Sequence, residues 1–145
     1  MAEPKKTTKK TVKKTTKKKT PKAASPAPSK RSADKDLALA AARIARERNC
    51  TDITVLDLTG ISPATNFFVI ATSTSDRQAR TVADEISAEA KKQGHKRFGV
   101  AGYTKGQWIL LDYVSVVVHI FDTEHRDYYH LEMLWGDAKK LTIDD

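Results

Sequence analysis

Two carboxylates and one histidine interrupt otherwise apolar strand-like runs. Asp57 lies in Ile53-Thr-Val-Leu-Asp-Leu58, and Asp112 and His119 lie in Trp108-Ile-Leu-Leu-Asp-Tyr-Val-Ser-Val-Val-Val-His-Ile-Phe121. If the strands carrying Asp57 and Asp112 were neighbours, the two acids could share one Mg²⁺, as metal-dependent nucleotidyl or phosphoryl transfer requires. No GxGxxG or GxxxxGK accompanies them to cradle a phosphate. Each acid serves as readily as a strand-end carboxylate held by backbone N–H groups or an arginine. His119 alternates away from Val116, Val118 and Ile120 and lies with Val117 and Phe121. Its expected place is therefore half-buried and hydrogen-bonded within a sheet. As a general acid or base it has no nucleophile at a suggestive spacing.

Other chemistry is thinner. His119, His125 and His130 do not make a zinc pattern: the last two are five apart on a helix, there is one cysteine, and HExxH is missing. No metal or cofactor is expected. Thr72-Ser-Thr-Ser75 sits where a strand feeds a helix, a position able to hold an anion, but Ser75 followed by Gln78 fits a capping box and ordinary capping is the preferred reading. Tyr103, Trp108, Tyr113, Tyr128, Tyr129 and Trp135 are many aromatics for a small domain. Those at element ends suit a protein interface better than catalysis.

The elements that must position these residues follow from periodicity. Residues 34–48 have a small-residue face built on Leu37, Ala41 and Ile44, with Ser32 or Asp34 as cap. Strands are expected over 53–58 and 67–71. Ala79, Val82, Ala83, Ile86 and Ala90 make a helical stripe that ends before Gly94. A short strand over 95–100 and a loop over 102–106 precede Trp108–Phe121. That run divides at Val114-Ser115 into a hairpin, because three consecutive β-branched valines favour strand. Glu124 to Trp135 reads as a final helix, and 139–145 as a frayed end. This order implies an α/β domain: a small mixed sheet of about five strands flanked by helices.

The charge is unevenly placed. Residues 1–31 carry 12 Lys or Arg against one Glu, whereas residues 32–145 carry 14 basic and 17 acidic groups. The whole-chain net charge of +8 thus describes a tail, and the domain over 32–138 is mildly acidic. The tail repeats Lys and Thr before a Pro/Ala-rich stretch and has nothing to bury, so disorder is expected. Lys9, Lys10, Lys13, Lys14, Lys17, Lys18 and Lys19 form a candidate polyanion-binding arm; the bland alternative is a solubilising extension. Cys50 alone rules out an intrachain disulfide and suits a reducing cytoplasm. No run approaches the ~20 apolar residues that span a bilayer, and no apolar h-region marks a secretory signal. A basic Ser/Thr-rich start could mimic an organelle transit peptide, although a Lys-Lys-Thr repeat is an odd one.

Taken in order, several motifs resemble one family: Asp57-Leu; Phe68-Val-Ile-Ala-Thr72 with Thr74-Ser75-x-Arg77-Gln78; Trp108-x-Leu-Leu-Asp112-Tyr; Val117-Val-His119-x-Phe121; and Arg126-x-x-Tyr129-x-Leu131-Glu132-x-Leu134-Trp135. Over residues 36 to about 138 the chain is similar to the ribosomal silencing factors, also called iojap-like proteins. The resemblance implies a nucleotidyltransferase-like shape without the activity. It also implies binding to the large ribosomal subunit through its fourteenth protein, which blocks joining with the small subunit and represses translation. On that basis Trp108, Asp112, His119, Arg126, Tyr129, Glu132 and Trp135 are the expected partner-binding residues, on a monomer or weak homodimer. Asp57, Asp76, Asp112, Glu124 and Asp127 supply negative potential towards a basic ribosomal protein. Ribosomal RNA is the natural polyanion for the tail. The chain departs from the family pattern at Asn66 (usually an acid), Ser73 (Gly), Ala101 (Glu) and Val114-Ser115 (Gly-Asp).

Overall fold

The structure, a computed structural model, describes residues 30–129 and 136–143, with side chains for 30–126 and 136–143. Residues 34–145 form one compact unit. Of the first 33 residues only the opening turn of the first helix is described. The lysine arm, His130, Glu132 and Trp135 lie outside the described residues.

Helix α1 spans Lys30–Glu47, starting four residues earlier than the spacing predicts. Leu37, Ala38, Ala41, Ala42 and Ala45 are buried on one face, and their small side chains let the helix lie close to the sheet. Asn49 ends it at φ +68, a left-handed conformation that Asn tolerates. Strand β1 (Thr51–Asp57) and strand β2 (Phe67–Ser73) pair antiparallel. Helix α2 (Asp76–Lys92) follows. The Ser75 hydroxyl accepts the Gln78 N–H (3.0 Å), as the capping motif predicts, while Gln78 Oε1 accepts the N–H of Thr74 (2.6 Å). Ala79, Val82, Ala83, Ile86 and Ala90 are all buried, and each fully buried Val or Ile contributes ~1.5–3 kcal/mol.

Strand β3 is only Gly99–Ala101. The expectation of strand from residue 95 fails because the ladder with its neighbour begins at Gly99↔Asp112, leaving 95–98 outside it. Strands β4 (Trp108–Asp112) and β5 (Val116–Asp122) form the expected hairpin, with Asp112 opposite Val117 and Trp108 opposite Phe121. Helix α3 is described over Thr123–Tyr129. Its first turn is capped by Asp122, whose Oδ1 accepts the His125 N–H (2.8 Å).

The chain end corrects the expectation of fraying. Strand β6 (Lys139–Lys140) pairs antiparallel with β1, and the Leu141 N–H donates to the Val55 C=O (2.9 Å). Leu141 and Ile143 then pack against the main core. The sheet accordingly has six strands rather than about five, in the order β3-β4-β5-β2-β1-β6. Only β2 and β5 are parallel, and that pairing needs a crossover, which begins with α2.

Register assigns the two faces, since directly opposed residues point the same way. Val55, Val69, Ala71, Ile109, Leu111, Val116, Val118 and Ile120 face α1 and α2 and make the main core. The opposite face carries Leu56, Phe68, Ile70, Leu110, Val117, His119, Phe121, Trp108 and Asp112. Helix α3 lies on that side, held by Arg126, whose Nη1 donates to the Thr72 hydroxyl (3.0 Å).

Candidate functional site

The residues singled out in the β4–β5 hairpin gather on the face opposite α1 and α2. Trp108 opens β4 after a loop that α2 holds in place: Arg80 Nη1 donates to the Thr104 C=O (2.9 Å), and the Tyr103 hydroxyl donates to the Asp84 carboxylate (3.0 Å). Gly102 bends that loop at φ +75, and a Cβ there would sit 2.0 Å from the Trp108 carbonyl oxygen. Only glycine fits both the conformation and the approach.

The indole N–H of Trp108 donates to His119 Nδ1 (3.2 Å). A neutral imidazole that accepts at Nδ1 carries its proton on Nε2, so this bond sets the tautomer. Among the described residues Nε2 has no partner. Rings close over the histidine: Phe68 meets it edge-on at 4.8 Å, and Phe121 stacks at 6.0 Å while contacting Trp108 at 4.9 Å. His119 is buried rather than half-buried, being only 5 % exposed. Burial pulls its pKa down to about 4, against a smaller opposing pull from Asp112. At neutral pH it is an uncharged part of an aromatic cluster.

Asp57 and Asp112 do not converge. Two strands, β2 and β5, lie between β1 and β4, and three strand spacings amount to ~14 Å, far beyond a shared cation. Each carboxylate instead caps the turn two residues on: Asp57 Oδ1 accepts the Thr59 N–H (2.9 Å) and Asp112 Oδ1 accepts the Val114 N–H (2.7 Å). The transferase alternative loses the geometry it depended on. The strand-to-helix hydroxyls are also committed: Thr72 accepts from Arg126, Ser73 donates to the Phe121 C=O (3.3 Å) and Ser75 caps α2. Cys50 is buried, and desolvation pushes its thiol up to about 11, so it is no nucleophile.

Of the other expected site residues, Arg126 is buried against Thr72, and Tyr129 ends the described part of α3. Phe68 and Leu110 were not singled out individually, yet both share the face with Trp108 and are half-buried. The signal was available: a two-residue turn at 114–115 pairs 110 with 119 and 108 with 121. The result is a partly open strand face carrying an anchored indole, aliphatic neighbours and one carboxylate at its end.

Comparison with known proteins gives the family. The family model described as ribosomal silencing factor during starvation matches residues 29–145. The chain is 36 % identical over 110 residues to the ribosomal silencing factor RsfS of Bacillus subtilis, covering 76 % of this chain and 93 % of that one. It is 38 % identical over 109 residues to the chloroplastic protein Iojap of Zea mays, covering 73 % and 46 %. A crystal structure of a Chromobacterium violaceum protein superposes with a TM-score of 0.68 at 28 % identity, over 77 % of this chain and 92 % of that one. A Bacillus halodurans structure gives 0.61 at 32 %, over 74 % and 94 %. The chain belongs to the ribosomal silencing factor family.

Proposed function

We propose that this protein is a non-enzymatic repressor of translation that binds the large ribosomal subunit and keeps it from joining the small one. The observation that carries this reading is Trp108, half-buried on the face away from α1 and α2, its ring fixed by the bond to His119. A side chain already ordered in the free protein loses little entropy on docking, which is what an interface anchor needs. Leu110, Phe68 and the Asp112 edge extend the surface. The fourteenth protein of the large subunit is the partner the family resemblance implies, in the cytoplasm where those ribosomes work. The N-terminal lysines would add a salt-sensitive contact to ribosomal RNA.

Sedimentation of the full chain with purified large and small subunits tests this. Binding to the large subunit alone, with a reduced yield of joined ribosomes, is expected. Trp108→Ala should weaken that binding ~30-fold, about 2 kcal/mol for an interface hot spot, with the urea midpoint measured alongside to show the domain still folds. Co-sedimentation with neither subunit, or unchanged joining at saturating protein, would overturn the proposal.

A further inference from the structure

Well away from the aromatic face, the end of α2 and the segment leading into β3 enclose a cleft of about 490 Å³. It is lined by Ser87, Lys91, His95, Lys96, Arg97 and Tyr113. That volume lies within the range of ligand sites, ~300–1,000 Å³. Among the described residues no carboxylate lines it. The stretch Lys91-Lys-Gln-Gly-His-Lys-Arg97 holds four of the 14 Lys and Arg residues of 32–145, in a region whose net charge is negative. Lys91, Lys96 and Arg97 are exposed, and Arg97 Nη1 donates to the Ser87 hydroxyl (3.3 Å), which turns the guanidinium along the wall.

A bland account covers part of this. Cations in a last helical turn complement the helix dipole, and Lys91 and Lys92 sit there. It does not cover Lys96 and Arg97, which lie past Gly94, where the chain has left the helix at φ +90. Asp84 borders the far side of Arg97 in an adjoining recess, where its carboxylate accepts from the Tyr103 hydroxyl.

We infer that this cleft is a second binding site, which takes successive backbone phosphates of an RNA strand. Two observations favour backbone phosphates over a nucleotide. The α2 carbonyls behind the cleft are partially negative, so an anion must sit outward among side-chain tips, as an exposed phosphodiester does. The cations come from two successive segments, which spreads them along a strand's phosphates. The inference does not depend on which RNA-containing particle the protein engages.

The test uses the full chain, with its N-terminal lysines intact in every variant so that their contribution cancels. A fluorescein-labelled single-stranded RNA oligonucleotide is titrated by anisotropy over a salt series. The triple substitution Lys91→Gln, Lys96→Gln, Arg97→Gln is expected to flatten the log–log salt slope by ~2, at about 0.7 per phosphate. The wild-type advantage should then shrink ~20-fold between about 0.05 and 0.2 M salt. Neutralising the exposed residues Lys35, Arg77 and Lys105 removes equal charge elsewhere and should change the slope by less than half as much. Equal slopes for wild type and the cleft triple would overturn the site, as would equal effects of the two triples. Displacement of the RNA by inorganic phosphate at matched ionic strength would overturn the backbone assignment.

Discussion

His119 should make the protein lose stability in mild acid, by an amount its burial sets. In the unfolded chain a histidine titrates near its ordinary value of 6.5, while in the native protein it is held at about 4. Above ~6.5 both states leave it neutral and it adds no pH dependence. As the pH falls, the unfolded chain takes up the proton first, so stability drains away between 6.5 and 4. The 2.5-unit gap corresponds to ~3 kcal/mol once both states are protonated, of which ~2 kcal/mol is gone by about pH 5. Protonation also turns Nδ1 into a donor facing the Trp108 N–H, so that bond breaks as the charge enters. The assay is urea unfolding of wild type and His119→Gln from pH 7.5 to 4. Glutamine does not titrate and can still accept from the indole. Carboxylates such as Asp76, which its Arg80 partner holds low, titrate alike in both proteins and drop out of the difference. Wild type should lose ~2 kcal/mol more than the variant by pH 5, with a change in tryptophan emission over the same range. Parallel stability curves would refute the reasoning.

Two backbone positions give sharper outcomes. Val114 stands at φ +68 on the hairpin tip, 51 % exposed, a conformation costing a β-branched residue ~1–3 kcal/mol; Val114→Gly should raise stability by ~1 kcal/mol net of glycine's added entropy, and a lowered urea midpoint would contradict this. Gly102→Ala forces a Cβ against the Trp108 carbonyl at positive φ and should cost at least ~2 kcal/mol; a loss under ~0.5 kcal/mol would show that the loop is not held as described.

Much of this fold was legible because the hydrophobic pattern and turn chemistry agree locally. The α2 stripe with its Ser75 cap and the Trp108–Phe121 hairpin could each be read within about twenty residues. The misses share a cause: they depend on pairings distant in sequence. Strand β6 is two lysines whose ladder runs through backbone alone, so neither alternation nor β-branching marks it; Leu141 and Ile143 were the only signal. Strand β3 likewise takes its bounds from β4, not from its own residues. That Asp57 and Asp112 stay apart is set by strand order, because β5 inserts between β4 and β2. The depth of His119 came out wrong by degree: its strand and face were readable, but not the closure of Phe68, Phe121 and Trp108 around it.

Asn66 and Ser73, two of the positions that depart from the pattern the resemblance implies, each make a hydrogen bond within the domain. Asp34 on α1 is only 3 % exposed, and a carboxylate so buried needs a donor. Asn66 supplies it, its Nδ2 donating to Asp34 Oδ2 at 3.3 Å; an acid at 66 would set a second carboxylate against the first. Ser73, where the resemblance implies glycine, is fully buried and spends its hydroxyl on the Phe121 carbonyl, a bond glycine could not make. Both side chains therefore serve the domain from within. Val114 is different, because it keeps the left-handed turn that glycine would fill without strain and puts an isopropyl group into solvent beside Asp112.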